Sequence, residues 1–359
     1  MGLSTQRVMF ITLVMLLAVL ATRVPVDTDT WWHIRSGEYT LTEGMIYTDP
    51  FSFSKAGETW VNHSWGGQII LYMAWKMGGN VGLALYTTLF AVLGMMALYP
   101  ICAGNVYLRS FVILLGAITA TVFWSARPQM LSFFLSSVFL LILFQYKRQN
   151  KDRLWLIPPL MLIWGNLHAG FSIGFIFLVA FIGGELLGHI FAKDKTGIIP
   201  MRGIGKLVII TALAVGALII NPYGFAMLRV PFETVNLGVL RGYIQEWQSP
   251  NFQGRETWAF LGMIFLIIGA SGMAKRGWDW TEYGLICGTA FLAFLYGRNI
   301  AVFAVAATPI LSYQTDAFLT QQGWQFTPRT RVSKAQSRLN AVLLAVLLFG
   351  GLMSIVSVL

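Results

Sequence analysis

The chain has 359 residues, of which 56% are hydrophobic and 11% are charged, and its formal net charge is +10. With a mean hydropathy of +0.67, this composition excludes an ordinary soluble domain and indicates a polytopic membrane protein. The positive charge does not predict nucleic-acid binding, because the basic residues stand in short clusters between apolar runs. Cys102 and Cys287 belong to apolar runs, so no disulfide framework or metal motif is predicted.

Eleven apolar runs are predicted to form transmembrane helices. They lie near 8–22, 80–101, 108–125, 129–146, 154–167, 170–191, 206–221, 257–274, 281–296, 299–313 and 341–358. The first run resembles a signal peptide, but ten more follow, which favours an uncleaved span. We therefore predict an all-α polytopic membrane protein of about 11 transmembrane helices. Residues 1–313 form its main module, 314–340 a basic cytoplasmic linker, and 341–359 a C-terminal transmembrane helix.

The basic clusters predict the orientation. If the short, glycine-flanked run 66–79 lies along the membrane surface instead of crossing it, every basic cluster falls on the cytoplasmic side. The clusters contain Lys147, Arg148, Lys151 and Arg153; Lys193, Lys195, Arg202 and Lys206; Lys275 and Arg276; and Arg329, Arg331, Lys334 and Arg338. This predicts an N-terminus inside, a C-terminus outside, and two large outer loops at 23–79 and 222–256.

Directly after the first span, the stretch DTDTWWHIRSGEYTLTEG combines two acids, a histidine and two tryptophans. Asp29 and His33 are four residues apart and share a face if residues 30–42 form a helix, with Trp32 beside them. One interpretation is that Asp27 or Asp29 only caps this helix while the tryptophans anchor it at the membrane surface. The acid four residues from His33 favours chemistry instead. A carboxylate here would act as a general base toward an acceptor hydroxyl or amine, or help to hold a divalent cation.

Other polar residues are predicted at the outer ends of spans. Asn166 and His168 either line a cavity or satisfy the backbone of a helix corner. Glu246, beside Trp247 in the second outer loop, is either an exposed rim acid or a second carboxylate of an active site. His63, in the stretch WVNHSW, is more typical of a packed loop residue than of a ligand.

Two arginines are predicted at outer helix ends. Arg127 precedes a proline, and Arg298 stands between two apolar runs with almost no loop. A guanidinium donates two parallel hydrogen bonds to a phosphate, and the alternative is snorkelling to lipid headgroups. For Arg298 the phosphate interpretation is favoured. The sequence shows no Walker loop and no dinucleotide fingerprint, so a soluble nucleotide substrate has no visible cradle.

Several of these features resemble the GT-C superfamily of membrane glycosyltransferases, which includes protein O-mannosyltransferases, aminoarabinose transferases and oligosaccharyltransferases. An acid directly after the first span, interfacial helices in the first outer loop and basic inner loops carry this resemblance. Over roughly residues 1–310, the chain is similar to a set of bacterial GT-C-like membrane proteins. The motifs concerned are 29-DTWWHIRSGEY-39, 49-DPFSFS-54, 60-WVNHSW-65, 127-RPQM-130, 166-NLHAGF-171, 221-NPYG-224 and 246-EWQSP-250.

The resemblance implies a polyprenyl-phosphate-linked sugar donor and transfer on the outer face of the bacterial inner membrane. By position, Asp29 or Asp27 matches the first-loop catalytic acid, and Arg298 matches a cation that holds the phosphate. The chain departs from O-mannosyltransferases in carrying D-x-D in place of an adjacent acid pair. A soluble C-terminal domain is not seen in the sequence, so we expect loops or a partner membrane subunit to bind the acceptor.

Two other classes of function stay open. A non-enzymatic subunit or scaffold of a larger membrane complex predicts that the acids only cap helices. It also predicts that no continuous cavity joins Asp29 to Arg298. A transporter predicts ionisable residues near the middle of the membrane, and the apolar runs show almost none beyond Glu185. The transporter interpretation therefore ranks last.

Overall fold

The computed structural model describes residues 3–235, 238, 242–324 and 332–359. In these residues the chain is helical and contains no β-strand, apart from one isolated bridge between Thr48 and Thr59. The prediction of an all-α protein is confirmed for this part of the chain. The predicted basic residues Arg329 and Arg331 lie outside the described residues.

Thirteen α-helices are present in the described residues. They are α1 (Thr5–Ala21), α2 (Asp29–Thr42), α3 (Trp65–Leu98), α4 (Val106–Ala120), α5 (Gln129–Gln149), α6 (Ile157–Leu167), α7 (Ser172–Phe191), α8 (Met201–Leu218), α9 (Val230–Val235), α10 (Trp258–Met273), α11 (Trp280–Leu295), α12 (Ile300–Gln321) and α13 (Lys334–Val358). Short 3-10 turns join several of them, including Gln245–Trp247 in the second large loop and Gly297–Asn299 between α11 and α12.

By length and composition, 7 helices in the described residues can cross a membrane. They are α3, α4, α5, α7, α8, α10 and α13, taken together with the 3-10 turns that adjoin some of them. A membrane-embedded, polytopic protein is therefore supported. The predicted count of eleven spans also needs α1, α6, α11 and α12, and it stays a prediction.

Helix α3 is divided by a sharp bend at Gly79. The backbone angles there are φ 55° and ψ −136°, a conformation that side-chain-bearing residues rarely adopt. The chain folds back so tightly that a Cβ on Gly82 would lie 2.0 Å from the carbonyl oxygen of Ala74. The bend lies at the predicted boundary between the surface run 66–79 and the span 80–101. The first part of α3 packs closely against α2. The two backbones are so near that a Cβ on Gly37 would lie 2.2 Å from the carbonyl oxygen of Gln68.

Two helices form the centre of the bundle. In α5, 78% of the residues in its most apolar 18-residue stretch are buried. In α12 every residue from Ile300 to Ser312 is buried. Arg127 precedes α5 by two residues, and Arg298 precedes α12 by two residues. Both arginines line the same cavity, so both central helices begin at one end of the bundle. We call it the Arg127 end and the opposite one, where α5 finishes, the Lys147 end.

A buried ion network lies at the Lys147 end. Lys147 of α5 contacts Glu185 of α7 and lies 3.3 Å from Asp279, the N-cap of α11. Arg148 contacts Glu282, and both glutamates are almost fully buried. Opposite charges that are buried together avoid the large penalty of an uncompensated ion. The network therefore fixes α5, α7 and α11 against one another, and it gives Glu185 a structural partner.

The orientation can be tested by cysteine labelling. After replacement of Cys102 and Cys287, single cysteines at positions 55 and 80 are expected to react from the same, outer side, because the bend at Gly79 returns the chain to that side. A reporter after residue 150 is expected in the cytoplasm, in keeping with the basic residues there. Labelling of 55 and 80 from opposite sides would show that 66–79 crosses the membrane.

Candidate functional site

A cavity of about 520 Å³ lies at the Arg127 end of the bundle. Its lining includes eight of the site residues predicted from the sequence: Asp29, Trp32, His33, His63, Arg127, His168, Glu246 and Arg298. These residues come from six separate parts of the chain. Another part of the lining is apolar and consists mainly of Phe123, Ile173, Ile176, Phe232, Leu292 and Val302. The cavity thus combines a charged region with a hydrophobic wall.

The guanidinium of Arg127 is the centre of the charged region. Its Nη2 lies 3.0 Å from Asp29 Oδ2, and its Nη1 lies 3.2 Å from Glu246 Oε2 and 3.5 Å from Asp27 Oδ2. Burial lowers the pKa of Arg127, but the charges of Glu246, Asp27 and Asp29 outweigh it, and the pKa is raised. One arginine thus holds two carboxylates of the first loop and one of the second.

Arg298 has fewer carboxylate partners. Its Nη1 lies 3.4 Å from Glu246 Oε1, and its guanidinium carbon stands 4.5 Å from the ring centre of Trp247. Burial lowers the pKa of Arg298. The side chain stays charged, because the pKa of an arginine remains far above neutrality in proteins. Glu246 therefore bridges the two arginines, one with each carboxylate oxygen. Arg298 faces one negative charge where Arg127 faces three.

Helix starts add to the positive potential around the cavity. Helices α5 and α12 begin two residues after Arg127 and Arg298, and α7 begins at Ser172 in the lining. The N-terminus of a helix carries unpaired N–H groups and a partial positive charge, so it favours anions. The arginines and the helix starts together make this end of the cavity suited to a phosphate.

His33 is held by two buried amides that sequence reasoning missed. Asn62 Nδ2 donates to Gln68 Oε1 at 2.7 Å, so the other end of that amide, Gln68 Nε2, is a donor. It lies 3.2 Å from His33 Nδ1, which must then accept. The imidazole proton is thereby placed on Nε2. The only signal of this in the sequence is a glutamine in the apolar run GGQIILYM.

His168 is fixed in the same tautomer by different partners. The backbone N–H of Gly170 donates to His168 Nδ1 at 3.0 Å. Ser132 Oγ lies 2.8 Å from the same nitrogen and accepts a hydrogen bond from Trp164 Nε1 at 2.7 Å. The proton of His168 therefore lies on Nε2. Ser132 and Trp164, which lie within apolar runs, were not predicted as part of the site.

The three histidines of the cavity are neutral near pH 7. Burial lowers the pKa of His33 well below 6.5, and the charge of Arg127 lowers it further. Burial lowers the pKa of His63 to about 4, and Arg298 adds to the effect. The pKa of His168 is likewise lowered, mainly by burial. These side chains supply uncharged hydrogen-bonding groups, and the charge of the site comes from arginines and carboxylates.

Two predicted site residues do not line the cavity. Asp27 Oδ1 accepts the backbone N–H of Asp29, the first residue of α2, at 2.9 Å, while Asp27 Oδ2 contacts Arg127. Asn166 Nδ2 donates to the carbonyl oxygens of Leu162 and Ile220, at 2.8 and 2.9 Å. The amide of Asn166 therefore satisfies the backbone of a helix corner, which is the alternative that the sequence left open. It does not belong to the cavity.

A divalent cation does not fit the geometry described. The three carboxylates turn toward the guanidinium of Arg127, which lies in the centre where they converge. Among the residues that the structure describes, no group of three or more His, Cys, Asp or Glu side chains is arranged to hold a metal ion.

Comparison with models of known protein families gives no match, and comparison with curated protein sequences gives none either.

The buried state of His63 predicts a pH effect on stability. Since its folded pKa of about 4 lies below the ordinary value of 6.5, the unfolded chain binds the proton more tightly. The free energy of unfolding should therefore fall as the pH drops from about 6.5 to about 4. We expect His63→Gln, which has no such group, to lose less thermal stability over this interval in a melting series from pH 7.5 to 4.5. Equal losses would contradict the neutral, buried assignment.

Proposed function

We propose that the protein is an integral-membrane glycosyltransferase that moves a sugar from a polyprenyl-phosphate-linked donor to an extracytoplasmic acceptor. The observation that carries the proposal is the single cavity in which a carboxylate, two arginines and a hydrophobic wall meet. Each of these parts corresponds to one part of such a reaction: the acceptor proton, the phosphate and the lipid chain.

Arg298 is the proposed contact for the donor phosphate. It has one carboxylate neighbour at 3.4 Å, so a second anion can approach it with less repulsion than at Arg127. It stands beside the start of α12, whose unpaired N–H groups also favour an anion. Charge developing on the leaving phosphate is stabilised by such preorganised donors.

The hydrophobic wall is the proposed contact for the first isoprene units. Ile173 and Ile176 of α7, Leu292 of α11 and Val302 of α12 stand on the same cavity as the arginines. An apolar chain buried there is removed from water, at roughly 25 cal/mol per Å². A soluble nucleotide-sugar would gain nothing from this wall, which favours a lipid-linked donor.

The proposed reaction is a single displacement at the anomeric carbon. Asp29 takes the proton from an acceptor hydroxyl, and the acceptor oxygen forms a bond to that carbon. The bond between the sugar and the phosphate oxygen breaks at the same time, and the lipid phosphate leaves with the electron pair. The Nε2–H groups of His33 and His168 are uncharged donors for the sugar hydroxyls. Inversion at the anomeric carbon is the expected stereochemical result.

The scaffold alternative made two specific predictions. It required the acids of the first loop to act only as helix caps, and it required that no cavity join Asp29 to Arg298. Asp27 accepts a backbone N–H at the start of α2, whereas Asp29 lines the cavity and pairs with Arg127. Asp29 and Arg298 stand on one cavity. Both observations favour the enzyme over the scaffold.

Asp29 and Asp27 provide a matched pair for the central test. Each contacts Arg127, so Asp29→Asn and Asp27→Asn each remove one charge from the same cluster, but only Asp29 lines the cavity. Asp29→Asn is expected to reduce transfer by about 10²–10⁴-fold, as for the loss of a general base, without loss of expression or folding. Asp27→Asn is expected to be milder, because Asp27 does not line the cavity and the amide oxygen of asparagine can still accept the backbone N–H of Asp29.

Transfer would be measured in native membranes of a strain that lacks the gene and carries each variant. Mass spectrometry would follow the loss of polyprenyl-phosphate sugars and the appearance of free polyprenyl phosphate. If Asp29→Asn turned over the lipid as fast as the wild-type protein does, the catalytic role of the first loop would be refuted.

Arg298 is expected to show a graded response in the same assay. Arg298→Lys keeps the charge and loses the planar fork, so turnover should fall without vanishing, and Arg298→Ala should be lower still. Arg255→Ala, in the same outer loop region but exposed and outside the cavity lining, serves as the control. Equal turnover in the wild-type protein, Arg298→Lys and Arg298→Ala would favour the alternative in which Arg298 only meets lipid headgroups.

A further inference from the structure

A second cavity, of about 550 Å³, adjoins the first outer loop. It lies between α2 and the segment 49–60, and we call it the loop cavity. Trp32 lines both the loop cavity and the cavity at the Arg127 end, which we call the site cavity. The ring of Trp32 stands 3.7 Å from the ring of His33 in the site. The two cavities therefore meet at one indole.

The wall formed by segment 49–60 is an ordered structure. Thr48 and Thr59 form the isolated bridge, and the backbone N–H of Trp60 donates to the carbonyl oxygen of Tyr47 at 2.9 Å. Asp49 closes the turn by accepting the N–H groups of Phe51 and Ser52, at 2.8 and 3.0 Å. The side chains of this segment are thus presented in defined positions and do not depend on a ligand for their order.

Aromatic rings form the floor of the loop cavity. Trp60 stands 6.3 Å from Trp32 and 6.0 Å from Phe51, measured between ring centres. Trp32 and Phe51 nevertheless remain 40% and 41% exposed. Rings that pack against each other and still show a large open surface offer apolar faces to a ligand.

The charged rim of the loop cavity is balanced. Arg35 and Lys55 supply two positive charges, and Asp49 and Glu58 supply two negative charges. A phosphate or another anion would meet as many acids as bases, whereas hydroxyl groups both donate and accept and would use either sign. A purely apolar chain would leave the rim unused. The matching ligand is neutral, rich in hydroxyls, and apolar on the faces of its rings.

From this placement we infer that the loop cavity binds a saccharide, and that this saccharide is the acceptor of the transfer. The acceptor role rests on the proposed function, whereas the binding of a saccharide does not. A sugar stacked on the aromatic floor would end at Trp32, beside the cavity that holds Asp29. Its terminal hydroxyl would give its proton to Asp29 and form the new bond to the anomeric carbon of the donor as the lipid phosphate leaves.

Direct binding tests the saccharide site without a transfer assay. The full-length protein in lipid nanodiscs would be examined by saturation-transfer NMR with maltotetraose, cellotetraose and chitotetraose. We expect saturation transfer from at least one of them. Phe51→Ala should weaken that binding by about tenfold, as for the loss of one aromatic contact. Glu58→Gln, which keeps the shape and removes a charge from the rim, should weaken it as well.

Phe53→Ala is the matched control. Phe53 is an aromatic residue of the same segment, fully exposed and outside the lining of the loop cavity, so its removal should leave binding unchanged. Absence of saturation transfer from all three saccharides would overturn the inference, as would equal effects of Phe51→Ala and Phe53→Ala. A signal in detergent that disappears in nanodiscs would assign the loop cavity to membrane lipid and overturn it too.

Asp29→Asn separates this inference from the proposed function. Its side chain lies in the site cavity and not in the loop cavity, and asparagine can still hydrogen-bond to the terminal hydroxyl, so the variant is expected to retain saccharide binding while it loses transfer. Binding that persists while the turnover of lipid is unaffected by Asp29→Asn would retain the saccharide site and reject the transferase. Loss of binding together with intact turnover in Phe51→Ala would reject the acceptor role.

Discussion

The ion cluster around Arg127 is the interaction on which the arrangement of this end of the protein depends. A guanidinium that is mostly buried must be compensated, and three carboxylates from two distant loops do this. The cluster ties the start of α2 and the turn Gln245–Trp247 to the start of the central helix α5. Because each loop contributes at least one acid, the departure of either loop would remove compensating charge from the buried Arg127. The positions of Asp29 and Glu246 are thus set by the same constraint.

The sequence predicted much of this site because its chemistry is concentrated at helix ends. The spacing of Asp29 and His33, and the arginines that precede two apolar runs, are visible without any contact map. The distribution of the basic clusters predicts that they lie on one face of the membrane. In the structure they line one cavity. Their mutual distances could not be predicted, because they depend on how far each loop folds back over the bundle.

Other parts of the site could not be read from local pattern. Gln68, Ser132 and Trp164 lie in apolar runs, and their polar atoms find partners only across the bundle. Asn166 and His168 are two residues apart and looked equivalent, yet one satisfies carbonyl oxygens and the other lines the cavity. The number of membrane spans could not be settled from local pattern either, because some apolar helices are shorter than the membrane is thick. Helix α6 has 11 residues, about 17 Å of helix, against about 30 Å of hydrocarbon.

The position of Glu246 has a consequence for selectivity. Its carboxylate sits between two guanidiniums, in the manner of an anion that the chain supplies to itself. Any free anion from solution must compete with this tethered group, whose effective concentration is in the millimolar range or above. Inorganic phosphate is therefore a poor competitor at such a position. In the function proposed above, a phosphate that carries an apolar chain would gain additional binding energy from the hydrophobic wall, so the apolar chain and not the charge would decide which phosphate binds.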